Sequence, residues 1–111
     1  MKQGEIYLVN FDPGVGREYR KVRPAVVIQS EHVSKISPYI TVMPISSQID
    51  KIGPADILVP SDHKNQLIST SVIRSRQISS FDRARVFKKI GEVNSPILRR
   101  VRGYLREHFL L

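Results

Sequence analysis

Apolar and polar positions along the chain divide into two regimes. Through the first two-thirds they form short β-type runs. Ile6–Phe11 is rich in strand formers and closes on the turn signal Asp12-Pro13-Gly14. Gly14 and Gly16 then mark a loop reaching to about Val22. Pro24–Gln29 is almost continuously apolar, the pattern of a strand buried on both faces. Ile40–Ile45 forms a third run, and Pro44 within it predicts an edge or a bulge, because proline supplies no N–H to a ladder. Ile57–Val59 and Ser71–Ile73 read as further short strands. Arg85–Val93 fits a strand or a helical turn, and periodicity does not decide between them.

The last segment changes period. Ser95-Pro96 reads as a helix start, with serine capping and proline in the first turn. Ile97, Leu98, Val101, Tyr104, Leu105 and Phe109 then fall on one face at 3.6-residue spacing, while Arg99, Arg100, Arg102 and Arg106 take the rest. Strands followed by one amphipathic helix predict a mainly β fold: a compact barrel or strongly curled sheet with a C-terminal helix. At 111 residues, without repeat or linker, residues 1–111 read as a single domain.

Charge adds a partner to this picture. The chain carries a formal net charge of +8. From Arg74 onward there are ten Lys/Arg against three carboxylates, a net of +7, while the first 73 residues are nearly neutral. Such a field attracts polyanions, nucleic acid first among them, with an acidic protein as a compatible competitor. The absence of cysteine excludes disulfides, thiolate metal sites and cysteine nucleophiles. No apolar run has a membrane span's length and no signal-peptide pattern opens the chain, so a cytoplasmic protein is expected.

The candidate chemistry is narrow. His32, His63 and His108 stand apart with no metal-ligand spacing, Gly14-Val15-Gly16 is too short for a phosphate loop, and no nucleophile elbow occurs. Acid–base and electrostatic work by Arg, Glu and Ser remains. Arg17, Arg20, Lys21 and Arg23 surround Glu18 within seven residues, with Tyr19 among them. An arginine fork suits phosphate, and Pro24 with the apolar run behind it should hold Arg23 rigid. A solvated loop with Arg23 paired to Glu18 fits the same spacing. Ser46-Ser47-Gln48, ending the third run, offers hydroxyls to a phosphate, or merely a serine-capped turn. Residue types alone therefore give a basic β domain suited to nucleic acid.

At these segments the chain resembles the MazF/PemK family of toxin ribonucleases. Gly4-Glu5-Ile6-Tyr7, Asp12-Pro13 and Gly16-Arg17-Glu18 are similar to the family's opening strand and its D-P-x-x-G-S-E loop. Val22-Arg23-Pro24-Ala25-Val26-Val27 resembles its R-P-[AV]-[VL]-V hallmark, and Pro44-Ile45-Ser46-Ser47 its P-[IL]-[ST]-[ST] segment. Ser71-Val72-Ile73, Gln77–Arg85 and Lys89-Ile90-Gly91 continue the likeness in order. The sequence departs from the pattern at Arg17, at Tyr19-Arg20-Lys21, at Ser79-Ser80, and at Gln66, where N-G-L has glycine.

The resemblance implies an SH3-like, PemK-type small β-barrel acting as a homodimer. It implies a metal-independent, cofactor-free endoribonuclease that cuts single-stranded RNA at short motifs and is restrained by a cognate antitoxin with an acidic C-terminal segment. DNA would be met only through the antitoxin complex. By position, Arg23 and Ser46 match the family's catalytic arginine and Thr/Ser, and Glu18 a loop glutamate near the scissile bond. Arg17, Tyr19, Arg20, Lys21, Ser47, Gln48 and Gln77 are the expected RNA contacts. Attack by the RNA's own 2′-hydroxyl would leave a 2′,3′-cyclic phosphate and a 5′-hydroxyl. Two rival readings are a non-catalytic toxin of the same fold that poisons a protein such as gyrase, and a plain nucleic-acid-binding β-barrel.

Overall fold

The computed structural model describes residues 1–11 and 22–111. The β runs become β1 (Glu5–Asn10), β2 (Val22–Val27), β3 (Tyr39–Ser46), β4 (Ile57–Val59) and β5 (Ser71–Ile73), as their patterning predicts. Two elements escape that patterning: α1 (Glu31–Ile36) and β6 (Ser79–Asp82). The undecided segment is β7 (Val86–Glu92), and α2 (Ser95–Phe109) closes the chain.

The strands form one antiparallel sheet in the order β4-β5-β3-β2-β1-β7, with β6 also on β3. β3 changes its outer neighbour along its length. Tyr39–Val42 pair with β6, and Ile45 and Ser46 with β5. Pro44 sits in the gap between those ladders, where a missing N–H is tolerated, and its carbonyl accepts from Arg74 N at 2.9 Å.

The sheet's two ends meet through the β4–β5 connection. Glu92 N in β7 donates to Lys64 O at 3.1 Å. A Cβ on Gly91 would lie 2.4 Å from the Asn65 carbonyl oxygen, so only glycine lets the connection seat this closely on β7. Beside it, burial alone would raise the Glu5 pKa. The Lys2 N–H at 2.7 Å and the Lys89 ammonium at 2.8 Å outweigh burial and hold it below the ordinary value.

Two apolar clusters use the two faces of the sheet. Ile6, Val26, Met43, Ile45 and Ile73 pack on one face against Ile97 and Val101 of α2. Val9, Phe11, Ala25, Val27, Ile40 and Val42 form the other, with Phe81 edge-on to Phe11 at 5.0 Å.

The helix start differs from the Ser95 expectation by one residue. Asn94 is the N-cap, its Oδ1 accepting from Ile97 N at 2.9 Å, so Ser95 begins the helix itself. Phe109, assigned by periodicity to the apolar face, is exposed, because the helix runs past the core it covers. Gly103 lies mid-helix with nothing near the position of an added Cβ. Gly103→Ala should therefore stabilise the fold by about 1 kcal/mol through helix propensity, raising the thermal midpoint by about 4 °C. Calorimetry checks it, and an unchanged or lowered midpoint contradicts the helix geometry at that position.

Candidate functional site

The proline that follows Arg23 and the buried run beyond it place this side chain on a fixed strand. Arg23 lies in β2 opposite Val9 of β1. It is half-buried, and its Nε is out of contact with solvent. In β3, Ser46 pairs with Val72 of β5. The β2–β3 ladder ends at Ala25 opposite Pro44. Two residues beyond that last pair come Arg23 on β2 and Ser46 on β3. Strand alternation turns both toward the face that carries Ala25 and Val42.

The segment after Ser46 is fixed by contacts the sequence did not announce. The buried Ser46 hydroxyl oxygen accepts from Gln48 N at 3.1 Å, and its own O–H remains a donor. Arg74 holds the chain beyond. Its guanidinium donates to Gln48 O at 2.7 Å, Lys51 O at 2.6 Å and Asp56 Oδ2 at 2.9 Å. Both side chains of the Arg74–Asp56 pair are largely buried. One arginine thus fixes the path of residues 48–56.

Arg23 and Ser47 line a cleft of about 550 Å³. Its wall is apolar at Pro24, Ile45 and Leu67, and Lys88 of β7 adds a second cation. No carboxylate among the described residues lines it, so its field favours an anion. Sequence reading missed Lys88 and the wall at residues 66–69, which the fold brings from distant parts of the chain.

That wall is built on Asn65. Its Oδ1 accepts from Asp62 N and Leu67 N, both at 3.0 Å, and its Nδ2 donates to Pro60 O at 2.9 Å. Asn65 is 1% exposed, so these bonds are made in the interior. The next residue, Gln66, has a φ of 56°, which explains why glycine is common at its place in N-G-L. Its Nε2 donates to His63 O at 2.6 Å, a local bond that offsets part of the left-handed conformation.

Of the expected site residues, Arg23 and Ser47 line one cleft; Ser46 is buried on β3 just before it, and Gln48 follows, exposed on the held segment. Gln77 does not join them. It lines a separate groove with Lys51, Asp56, Arg74 and Arg76. Glu18, Arg17, Tyr19, Arg20 and Lys21 lie outside the described residues. Among the described residues, no three His, Asp or Glu side chains gather as a metal-ligand set. No helix among them is long and apolar enough to cross a membrane.

A curled antiparallel sheet, drawn closed by one connection, covered by a terminal helix and bearing a cationic cleft at a strand end, defines a small β-barrel class. The model of the family described as "PemK-like, MazF-like toxin of type II toxin-antitoxin system" matches residues 2–109. The chain belongs to that family. A curated relative, endoribonuclease MazF of Staphylococcus saprophyticus, is 32% identical over 105 residues, covering 87% of this chain and 88% of its own. The crystal structure of MazF from Deinococcus radiodurans superposes with a TM-score of 0.81 at 23% identity, over 100% of this chain and 97% of that one. A MazE–MazF structure from the same organism gives 0.75 at 24% identity, over 100% and 97%. The mainly β fold with a C-terminal helix is thus the fold of MazF structures.

Proposed function

We propose that this chain, as one toxin domain over residues 1–111, is a cytoplasmic endoribonuclease that cuts single-stranded RNA without a metal ion. One observation carries the reading most directly: Arg23, held on a central strand, lines with Ser47 and Lys88 a cleft that no carboxylate among the described residues joins.

In-line attack by the ribose 2′-oxygen needs no protein nucleophile. It needs a cationic fork on the phosphate, a route for the 2′ proton, and a proton for the departing 5′ oxygen. Arg23 supplies the fork and stabilises charge gathering on the phosphorane. Ser46 or its neighbour Ser47 donates to a non-bridging oxygen. Glu18, assigned by sequence alone, receives the 2′ proton, or orients Arg23 while solvent water takes that proton, and the 5′ oxygen leaves protonated by Arg23 or by a water it holds. The 2′-oxygen–phosphorus bond forms as the phosphorus–5′-oxygen bond breaks, giving a 2′,3′-cyclic phosphate and a 5′-hydroxyl. The apolar wall of the cleft suits an unstacked base, which is how single-stranded RNA is read.

Family membership and the MazE–MazF likeness support a cognate antitoxin as partner, its acidic C-terminal segment answering the cationic cleft, with DNA met only through that complex. The working unit on this reading is a homodimer, and growth inhibition follows from loss of message. The test is purified protein with a long RNA in EDTA, followed by mapping of the ends. Cuts at a short motif with cyclic phosphate ends are expected, and a 2′-deoxy nucleotide at the cut should block it. RNA that stays intact would overturn the nuclease reading in favour of a toxin that acts on a protein.

A further inference from the structure

The cleft leaves unused a dense group of charges on the C-terminal helix. α2 carries Arg99, Arg100, Arg102 and Arg106, all exposed, against a single carboxylate, Glu107. Its apolar residues Ile97 and Val101 are buried in the sheet's core, which turns the opposite side of the helix outward. On that side Arg99, Arg102 and Arg106 follow each other at i, i+3 and i+7, steps of about 5–6 Å on a helix surface. No ion pair among the described residues involves any of the four. Arg102 donates from Nε to Gln3 Oε1 at 2.6 Å, a neutral partner that orients the guanidinium without cancelling its charge.

Two further features adjoin the stripe. Gly103 leaves the helix surface open beside it, with no atom in place to meet a side chain. A groove of about 580 Å³ runs along the flank between α2 and residues 54–57, lined by Arg100, Tyr104 and His108, with Asp56 and Glu107 also on its wall. Asp56 is already taken by Arg74. Tyr104 and His108 stack there, ring centroids 5.3 Å apart and planes 21° from parallel. No residue of α2 lines the Arg23 cleft, and that cleft shares no lining residue with the groove beside α2. The two cationic surfaces are therefore separate.

We propose that the arginine stripe of α2 is a second RNA contact, gripping the phosphodiester backbone of a long substrate beyond the segment held at the cleavage cleft. The inference rests on the nuclease reading. Arginine, with no lysine on the helix, supplies planar forks matched to phosphate oxygens. The aromatic stack beside them offers a face to a base, which an acidic protein partner would not need. The surface gives affinity without sequence preference and extends the footprint past the cut site.

The test compares the parent with the triple variant R99Q/R102Q/R106Q, which keeps good helix formers, on a long RNA and on an oligonucleotide just spanning the cut motif. The variant should retain its thermal midpoint and its kcat and KM on the oligonucleotide. On the long RNA its KM should rise on the order of tenfold, since three exposed charge contacts are lost. The slope of log binding constant against log salt should become shallower by about 2. The matching triple lysine variant should recover most of that slope.

An unchanged KM and slope on long RNA overturns the proposal. So does an equal KM rise on both substrates, which marks a diffuse field rather than a contact. Loss of binding to an acidic peptide with RNA binding intact assigns the stripe to a protein and overturns it too. If the parent cuts neither RNA, the nuclease reading has failed, and the binding slope on long RNA still judges the stripe alone.

Discussion

Arg23→Ala is expected to remove detectable RNA cleavage while leaving the fold in place. Deleting one preorganised donor to a developing oxyanion typically lowers kcat by about 10²–10³. Arg23 should exceed that, because the proposed chemistry asks it both to neutralise the phosphorane and to serve the leaving oxygen. Stability should change little, since the side chain is half-buried and the strand is held by its neighbours Pro24 and Ala25. Arg23→Lys separates the two demands. It keeps the charge but not the fork, so RNA binding should survive while kcat still falls by more than tenfold. The measurements are single-turnover cleavage of a labelled RNA together with the thermal midpoint. An alanine variant cutting within tenfold of the parent would take Arg23 out of the mechanism.

How far the sequence announced this arrangement depends on whether each signal was local. β1, β2, β3 and β5 were legible because burial on one or both faces writes itself into consecutive residues. β7 was not, and the structure shows why. Its pairing with β1 slips between Ile6 and Tyr7 and again between Tyr7 and Val9. Those irregularities shift which side chains face inward, so Val86–Glu92 loses the period of two that marks a strand. β6 is short, half-exposed and polar at Ser79, Ser80 and Asp82, held by β3 rather than by its own composition. α1 spans six residues and rests on one cap, Val33 N donating to Ser30 Oγ at 3.2 Å. Too few turns are present for a face to show. At the site, Arg23 and the Ser46 segment could be picked out because each ends an apolar run. The Arg74 clamp and the Lys88 contribution are products of chain pairing across dozens of residues, which no local pattern records. The family resemblance supplied the link between the two segments.

Asn65→Ala is expected to be the most damaging single change to stability outside the apolar core, and it should reach the cleft as well. Three hydrogen bonds would vanish, stranding the backbone N–H groups of Asp62 and Leu67 and the carbonyl of Pro60. Each buried polar group left unpaired costs about 1–3 kcal/mol. Allowing for partial hydration of the relaxed loop, a loss of about 3–4 kcal/mol follows, a large share of the roughly 5–15 kcal/mol available to a domain of this size. The thermal midpoint should fall by more than about 10 °C. The loop has little room to readjust, because Asn65 O presses on Gly91 and Lys64 O accepts from Glu92. Losing that seat displaces Leu67 from the cleft wall, so cleavage assayed well below the lowered midpoint should show a raised KM with kcat reduced less. Calorimetry and steady-state kinetics on the same preparation decide it. A midpoint within 3 °C of the parent would show that the connection is held by its contacts with β7 alone, and that Asn65 is not its anchor.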